Sequence, residues 1–204
     1  MKDEILIATS NKHKLREISQ ILGVKVRGEA AGVKEDGKTF EQNAVKKAKY
    51  IAEKFKRIAI ADDSGLMVDC LGGRPGVRSA RFATPPTAEN LCNKLLRVML
   101  KKKECNRKAM FVCAIAVASP AGKIRVVTGR CRGKIIEEMR GEQGFGYDPV
   151  FVPRGYKKTF AEMKPSMKNR LSHRGKALKA LKGLLRPRGL EPPAYWFEAR
   201  RSIH

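Results

Sequence analysis

Residues 109–118 read AMFVCAIAVA, an apolar run with no charged side chain in it. It is too short to cross a bilayer, which takes roughly 18 apolar residues. A run of this kind predicts a strand buried on both faces, inside a sheet that helices cover. The rest of the chain supplies such a sheet. "EILIATS" (4–10) and "RIAIA" (57–61) are short apolar runs with β-branched residues, and each reads as a buried strand. "SPAG" turns the 109–118 strand into "KIRVVTGRC" (123–131), a hairpin. A short strand is expected around Val24–Arg27, and another after "GEQGFGYDP".

Helical periodicity fills the intervals. Leu15, Ile18, Ile21 and Leu22 share one face, with Ser10 or Asn11 as cap and Gly23 as stop. "TFEQ" (39–42) has the form of a capping box, and Ala44, Ala48, Ile51 and Phe55 follow as an apolar stripe. Thr87 opens a helix with Leu91, Leu95, Val98 and Met99 inward. Ser172 opens another, with Ala177, Leu178, Leu181 and Leu185 inward. Residues 28–38 and 71–87 are rich in glycine or proline and read as loops. Strands alternating with helices, plus a hairpin, predict an α/β fold with a mixed central sheet flanked by helices.

"RIAIA" is expected to deliver Asp62 and Asp63 at its end, within "ADDSG". Adjacent buried carboxylates repel and lose hydration, so a positive partner is expected beside them. Positive charge is plentiful: Lys and Arg number 44 against 20 Asp and Glu, a net charge of +24. The excess is dense between residues 154 and 188, where Glu162 is the one acid. Such a field attracts phosphates or nucleic acid, and equally describes a solvated lysine-rich surface. The five cysteines are odd in number and include no C-x-x-C pair. This argues against a disulfide framework or a zinc site, and reduced thiols in a cytosolic protein are expected. The start, "MKDEILIATS", lacks the pattern of a secretory signal.

Four polar segments sit where loops should meet: "TSNKHK", "DDSG", "GFGYD" and "SHRG". Each has a plain structural explanation, as a helix cap, a hydrogen-bonded corner, a tight turn or a helix start. None is a Walker A loop or a dinucleotide fingerprint. Residue chemistry alone leaves the function open.

Their order does not. "ATSNKHKLREI", "TFEQNAVKKA", "ADDSGL", "GGRPGVRSARF", "GFGYDPVF" and "LSHRGKAL" follow one another in a sequence that resembles the Ham1/ITPase family, the inosine triphosphate or noncanonical purine NTP pyrophosphatases. The resemblance spans about residues 4–185. It divides the chain into a pyrophosphatase domain, 1–185, and a C-terminal tail, 186–204, outside the match. It implies an elongated, two-lobed α/β fold with the active-site cleft between the lobes. It also implies Mg²⁺-dependent hydrolysis of ITP, dITP and XTP to the monophosphate and pyrophosphate, by a cytoplasmic homodimer. No membrane is expected as a partner, and nucleic acid is not expected either.

Roles follow from the same resemblance. Asp62 and Asp63 look like carboxylates of a metal site, and Mg²⁺ is a hard cation that prefers such oxygens. Asp63 matches the proton acceptor and metal contact, and Glu35 a second metal ligand. Which of Asp62 and Asp63 takes the proton stays open. Lys47 matches a lysine near the triphosphate and is read with them as catalytic. Thr9, Ser10, Asn11, Lys12, His13 and Lys14 resemble the phosphate-binding turn, where a helix N-terminus favours an anion. His13 stands where many relatives carry a small residue. Ser64 fits a substrate contact. Phe145 can stack on a purine, and Gly146, Tyr147, Asp148, Lys168, Ser172, His173 and Arg174 align with nucleoside-binding positions. Two other readings are a Maf-type pyrophosphatase for modified pyrimidine nucleotides and a basic nucleic-acid-binding protein without turnover. "GFGYDP" and "SHRG" argue against the first.

Overall fold

The computed structural model describes residues 4–185. The expected tail, with its aromatic residues at 195–197, lies outside them, as does the side chain of Leu185. Among the described residues, six strands form one mixed sheet: β1 (Ile5–Ile7), β2 (Val26–Gly28), β3 (Ala59–Val68), β4 (Lys108–Ala118), β5 (Ile124–Ile135) and β6 (Phe151–Pro153), in the order β2-β1-β3-β4-β5-β6. β1 runs parallel to β2 and β3, and the remaining pairs are antiparallel. Among the described residues, five α-helices flank the sheet: α1 (Lys12–Leu22), α2 (Phe40–Phe55), α3 (Ala88–Leu100), α4 (Pro165–Leu171) and α5 (His173–Leu185). This is the expected α/β architecture.

The caps follow local chemistry. Asn11 Oδ1 accepts from the His13 and Lys14 amides, and Gly23 closes α1 in the left-handed region at φ 72°. Thr39 Oγ1 accepts from Gln42 N, but Gln42 Oε1 takes the amide of Lys38 rather than that of Thr39. The capping box is therefore offset by one residue. α4 was not legible as a separate helix, because Pro165 starts it and Ser172 ends it after two turns.

Two expectations are corrected. Asp62 and Asp63 do not end a strand. β3 continues to Val68, paired in register with β4 from Ala59–Ala118 to Val68–Ala109. The polar "DDSG" segment resembles a turn, but the apolar β4 beside it extends the ladder through it. Cysteine spacing gave no sign of a bridge, yet Cys70 and Cys105 form a disulfide across 35 residues. Cys92, Cys113 and Cys131 are free and buried.

The core lies on both sides of the sheet. On one face, α2 packs Ala44, Ala48 and Ile51 against Ala59, Ala61 and Ala114. On the other, α1 and α5 pack Ile18, Leu178 and Leu181 against Ile60, Cys113 and Ile115. Further along that face, α3 adds Leu91, Leu95 and Met99 to Leu66, Phe111 and Phe151. α5 can approach closely because Gly129 faces it: a Cβ there would lie 2.1 Å from the His173 carbonyl oxygen.

Candidate active site

β1 meets β3 only at Leu6–Ala59 and Ile7–Ile60, then turns at Thr9 into α1. Past Ile60, no strand among the described residues pairs with this edge of β3. Ser79 Oγ takes the Leu66 amide instead, at 2.9 Å. The gap opens a cleft of about 620 Å³ beside Asp63 and Ser64, at the carboxyl ends of the parallel pair.

Strand alternation sends Asp62 and Asp63 to opposite faces. Asp62 is fully buried on the α5 side. Arg174 Nε and Nη2 donate to its Oδ2 at 3.1 and 2.9 Å, and Lys14 Nζ lies 2.6 Å from its Oδ1. Burial alone would raise its pKa, but Arg174, Lys14 and Lys47 hold it well below the usual carboxylate range. Asp62 is thus a permanent counter-ion. The expectation that both aspartates serve one metal site is corrected, because a pleated strand cannot aim neighbours at one point.

Asp63 faces the cleft on the α2 side. Asn43 Nδ2 donates to its Oδ2 at 3.1 Å, and Lys47 Nζ reaches its Oδ1 at 3.3 Å. The same ammonium is 2.9 Å from Glu35 Oε1. Burial raises the Asp63 pKa, with Lys47, Lys14 and Asn43 pulling against it. Arg81 closes the far side of Glu35, donating to its backbone oxygen at 3.1 Å.

A third group lies under the 144–148 loop. Lys168 Nζ is 2.6 Å from both Glu17 Oε1 and Asp148 Oδ2, and Arg174 Nη1 also pairs with Glu17. Asp148 Oδ2 accepts the Phe145 amide at 2.7 Å and holds the loop closed. Gly144 is required there, since its φ is +81° and a Cβ would strike Asp148. The Phe145 ring faces the cleft, 4.7 Å from Lys168 Nζ and stacked on His13 at 5.2 Å. His173 stacks on Phe111 at 4.7 Å. Burial, with Arg174 and Lys168 nearby, pushes its pKa well below 6.5, so the ring is neutral.

The fold brings most expected residues to this cleft: Thr9, Ser10, Asn11, His13, Lys14, Glu35, Lys47, Asp63, Ser64, Phe145, Gly146, Tyr147, Asp148, Lys168, His173 and Arg174 all line it. Asp62, Lys12 and Ser172 do not. Lys12 is exposed at the start of α1, and Ser172 Oγ is spent on the Gly175 amide. Tyr147 lines the wall, but its hydroxyl donates to Ser79 O at 2.9 Å. The Asn11, His13 and Lys14 amides are already held by Thr9 Oγ1 and Asn11 Oδ1.

Glu17, Asn43 and Arg81 were missed. Asn43 could have been found, since it lies one helical turn before Lys47 on the same face. Glu17 had no local signal, as its partners lie 151 and 157 residues away.

The model of the Ham1 family matches residues 5–184. A Desulforamulus reducens protein named dITP/XTP pyrophosphatase is 48% identical over 185 residues, covering 86% of this chain and 92% of its own. A Desulfotalea psychrophila protein of the same name is 46% identical, covering 97% and 90%. The solved structure of a HAM1 protein from Coxiella burnetii superposes with a TM-score of 0.80 at 35% identity, covering 89% of this chain and 98% of that one.

Proposed function

The chain belongs to the Ham1 family, and from that premise we propose that it hydrolyses noncanonical purine nucleoside triphosphates, ITP, dITP and XTP, to the monophosphate and pyrophosphate. The observation that carries the reading is the Asp63–Lys47–Glu35 group. It sets a carboxylate of raised pKa in a cleft beside an ammonium, within reach of the turn that opens α1.

Asp63 takes the proton of the water that attacks the α-phosphorus, and its raised pKa brings it nearer the operating pH. Asp62 is unsuited to this task, being held ionised by Arg174 and Lys14. Lys14 and Lys47 place positive charge along the phosphates. A phosphate at the α1 N-terminus competes with the Asn11 side chain for the His13 and Lys14 amides.

Lys14, Lys47, Lys168 and Arg174 are already compensated by Glu17, Glu35, Asp62, Asp63 and Asp148. A triphosphate therefore enters a site with little free positive charge, which favours a cation arriving with it. Glu35 and Asp63 offer carboxylate oxygens about one ammonium, a donor set suited to Mg²⁺, which keeps several waters and takes phosphate oxygens. Bound there, Mg²⁺ would neutralise triphosphate charge during attack.

Phe145 presents a ring for the purine. Lys168 and Arg174 are donors with no acceptor capacity, fixed by buried carboxylates. Facing them, a C6 carbonyl finds a partner and the adenine amine meets donors with a donor. Assembly into a homodimer, which the resemblance implies, is part of the proposal and is checked by light scattering. The deciding experiment is incubation with ITP and Mg²⁺, assayed for pyrophosphate against orthophosphate. Release of IMP with pyrophosphate supports the reading, and release of IDP with orthophosphate refutes it.

A further inference from the structure

We propose that the open end of the sheet, on the face that α2 leaves bare, binds single-stranded nucleic acid. The register assembles the site. Lys108 on β4 lies directly opposite Lys134 on β5, and Met110 opposite Arg132. Alternation along β5 puts Arg130, Arg132 and Lys134 on this face, all exposed, while Cys131 and Ile135 point into the core. Arg154, just past β6, joins them, its amide bonded to Arg132 O at 2.9 Å. The resulting groove has a volume of about 850 Å³, lined by Lys108, Arg132, Lys134, Arg154, Asp69 and Tyr156.

Two features point to an external anion. Like charges directly opposite on a sheet are destabilising, and among the described residues neither Lys108 nor Lys134 forms an ion pair with an acid. None of these five cations forms an ion pair among the described residues, although Lys14, Lys47, Lys168 and Arg174 all do. Among the described residues, Asp69 is the one carboxylate lining this groove.

The geometry favours a strand of phosphodiesters. Alternate residues on β5 stand about 7 Å apart, so Arg130, Arg132 and Lys134 form an even row along one line. Tyr156, 40% exposed at the end of the groove, offers a ring on which a base can stack. A single row of cations along β5 suits one strand of phosphates better than a duplex or a flat membrane. A second copy of this chain brings a net charge of +24, and residues 186–204 carry four arginines against two glutamates, so neither complements the face. The sequence reading did not expect nucleic acid, kept a basic nucleic-acid-binding protein as an alternative, and found the densest charge within 154–188. Of the five cations, only Arg154 comes from that stretch.

The test uses the full chain and a fluorescein-labelled oligodeoxythymidylate of about 20 nucleotides, longer than a typical single-strand site. Fluorescence anisotropy should show binding whose affinity falls between about 50 and 200 mM salt, with a log–log slope of about −3 to −4 for five phosphates neutralised. The R132E/K134E variant should bind at least about tenfold more weakly, with a slope shallower by about 1.4. Its ITP turnover should stay within about twofold of the parent, since both residues lie outside the cleft. Tyr156→Ala should weaken binding by about fivefold or more. If R132E/K134E melts early by circular dichroism, R132Q/K134Q is read in its place.

The proposal would be overturned by no salt-dependent binding, by affinity unchanged in the double variant, by displacement by ITP (which places the strand in the cleft), or by displacement by polyglutamate as effective as by unlabelled oligonucleotide (which makes the partner an acidic protein). Light scattering that finds a dimer broken by R132E/K134E would likewise assign the face to a second copy.

Discussion

Arg174 and Asp62 are 112 residues apart in sequence and meet between α5 and the sheet, with Nη2 2.9 Å from Oδ2. The same guanidinium bonds Ser64 Oγ at 2.9 Å and pairs with Glu17. One side chain on α5 therefore ties β3 to α1 beneath the cleft. Asp62 holds that side chain in place, and Asp63, its neighbour in sequence, faces the cleft on the other side.

The two aspartates should respond differently to loss of charge. Asp63→Asn keeps shape and the contact with Asn43 but removes the proposed base, and kcat for ITP should fall by about 10² or more with little change in melting temperature. Asp62→Asn leaves Arg174 buried with one acid fewer, and should cost about 3–5 kcal/mol of stability, read by denaturant unfolding. Equal behaviour of the two variants would contradict the opposed-face assignment.

His173 should make stability sensitive to mild acid. Its folded pKa is depressed by burial, Arg174 and Lys168, so below pH 6.5 the unfolded chain takes up a proton that the folded one refuses. Its contribution is complete above 6.5 and is lost as pH falls from there toward the folded value, at up to about 1.4 kcal/mol per pH unit. His173→Phe keeps the ring against Phe111 and removes the titration. Its unfolding free energy should decline less between pH 6.5 and 5 than that of the parent.

The lysines of the basic stretch should separate by depth. Lys157, Lys158 and Lys179 are exposed, and changing all three to Gln should alter KM modestly and flatten its salt dependence, since exposed charges are screened over roughly 8–10 Å. Lys182 does not belong with them, because its Nζ donates to Ile21 O at 2.7 Å and ties α5 to α1. Lys168→Ala strips Glu17 and Asp148 of a shared cation. It should lower kcat/KM even in high salt and destabilise the fold by about 3–5 kcal/mol. Turnover restored fully by salt would show that Lys168 acts only at long range.

The Cys70–Cys105 bridge should be detectable chemically. Thiol titration of the denatured, unreduced chain should find three free cysteines. Cys70→Ser should lower stability by about 3–4 kcal/mol, the loop-closure entropy of a crosslink of this span. Five titratable thiols would return the chain to the fully reduced state expected from cysteine spacing.

The sequence by itself determined the elements that depend on neighbours. The AMFVCAIAVA strand, the Asn11 and Thr39 caps, the Gly23 stop and the Leu91–Leu95–Met99 stripe are local patterns, set by side-chain period and by backbone groups a few residues away. The six motifs likewise hold most of the polar residues that line the cleft, while Ala30, Ala31, Leu91 and Phe111 lie outside them. What tertiary structure decided is direction and pairing. Apolar β4 drew "DDSG" into the ladder, and the pleat then set Asp62 and Asp63 back to back. Glu17 became part of the site only because α1 packs against α5 and brings it to Lys168 and Arg174. The open basic face exists only because antiparallel register sets Lys108 across from Lys134. Charge pairing inside a fold is made between residues far apart in sequence, where burial strengthens it, and a linear chain carries no local trace of the partner.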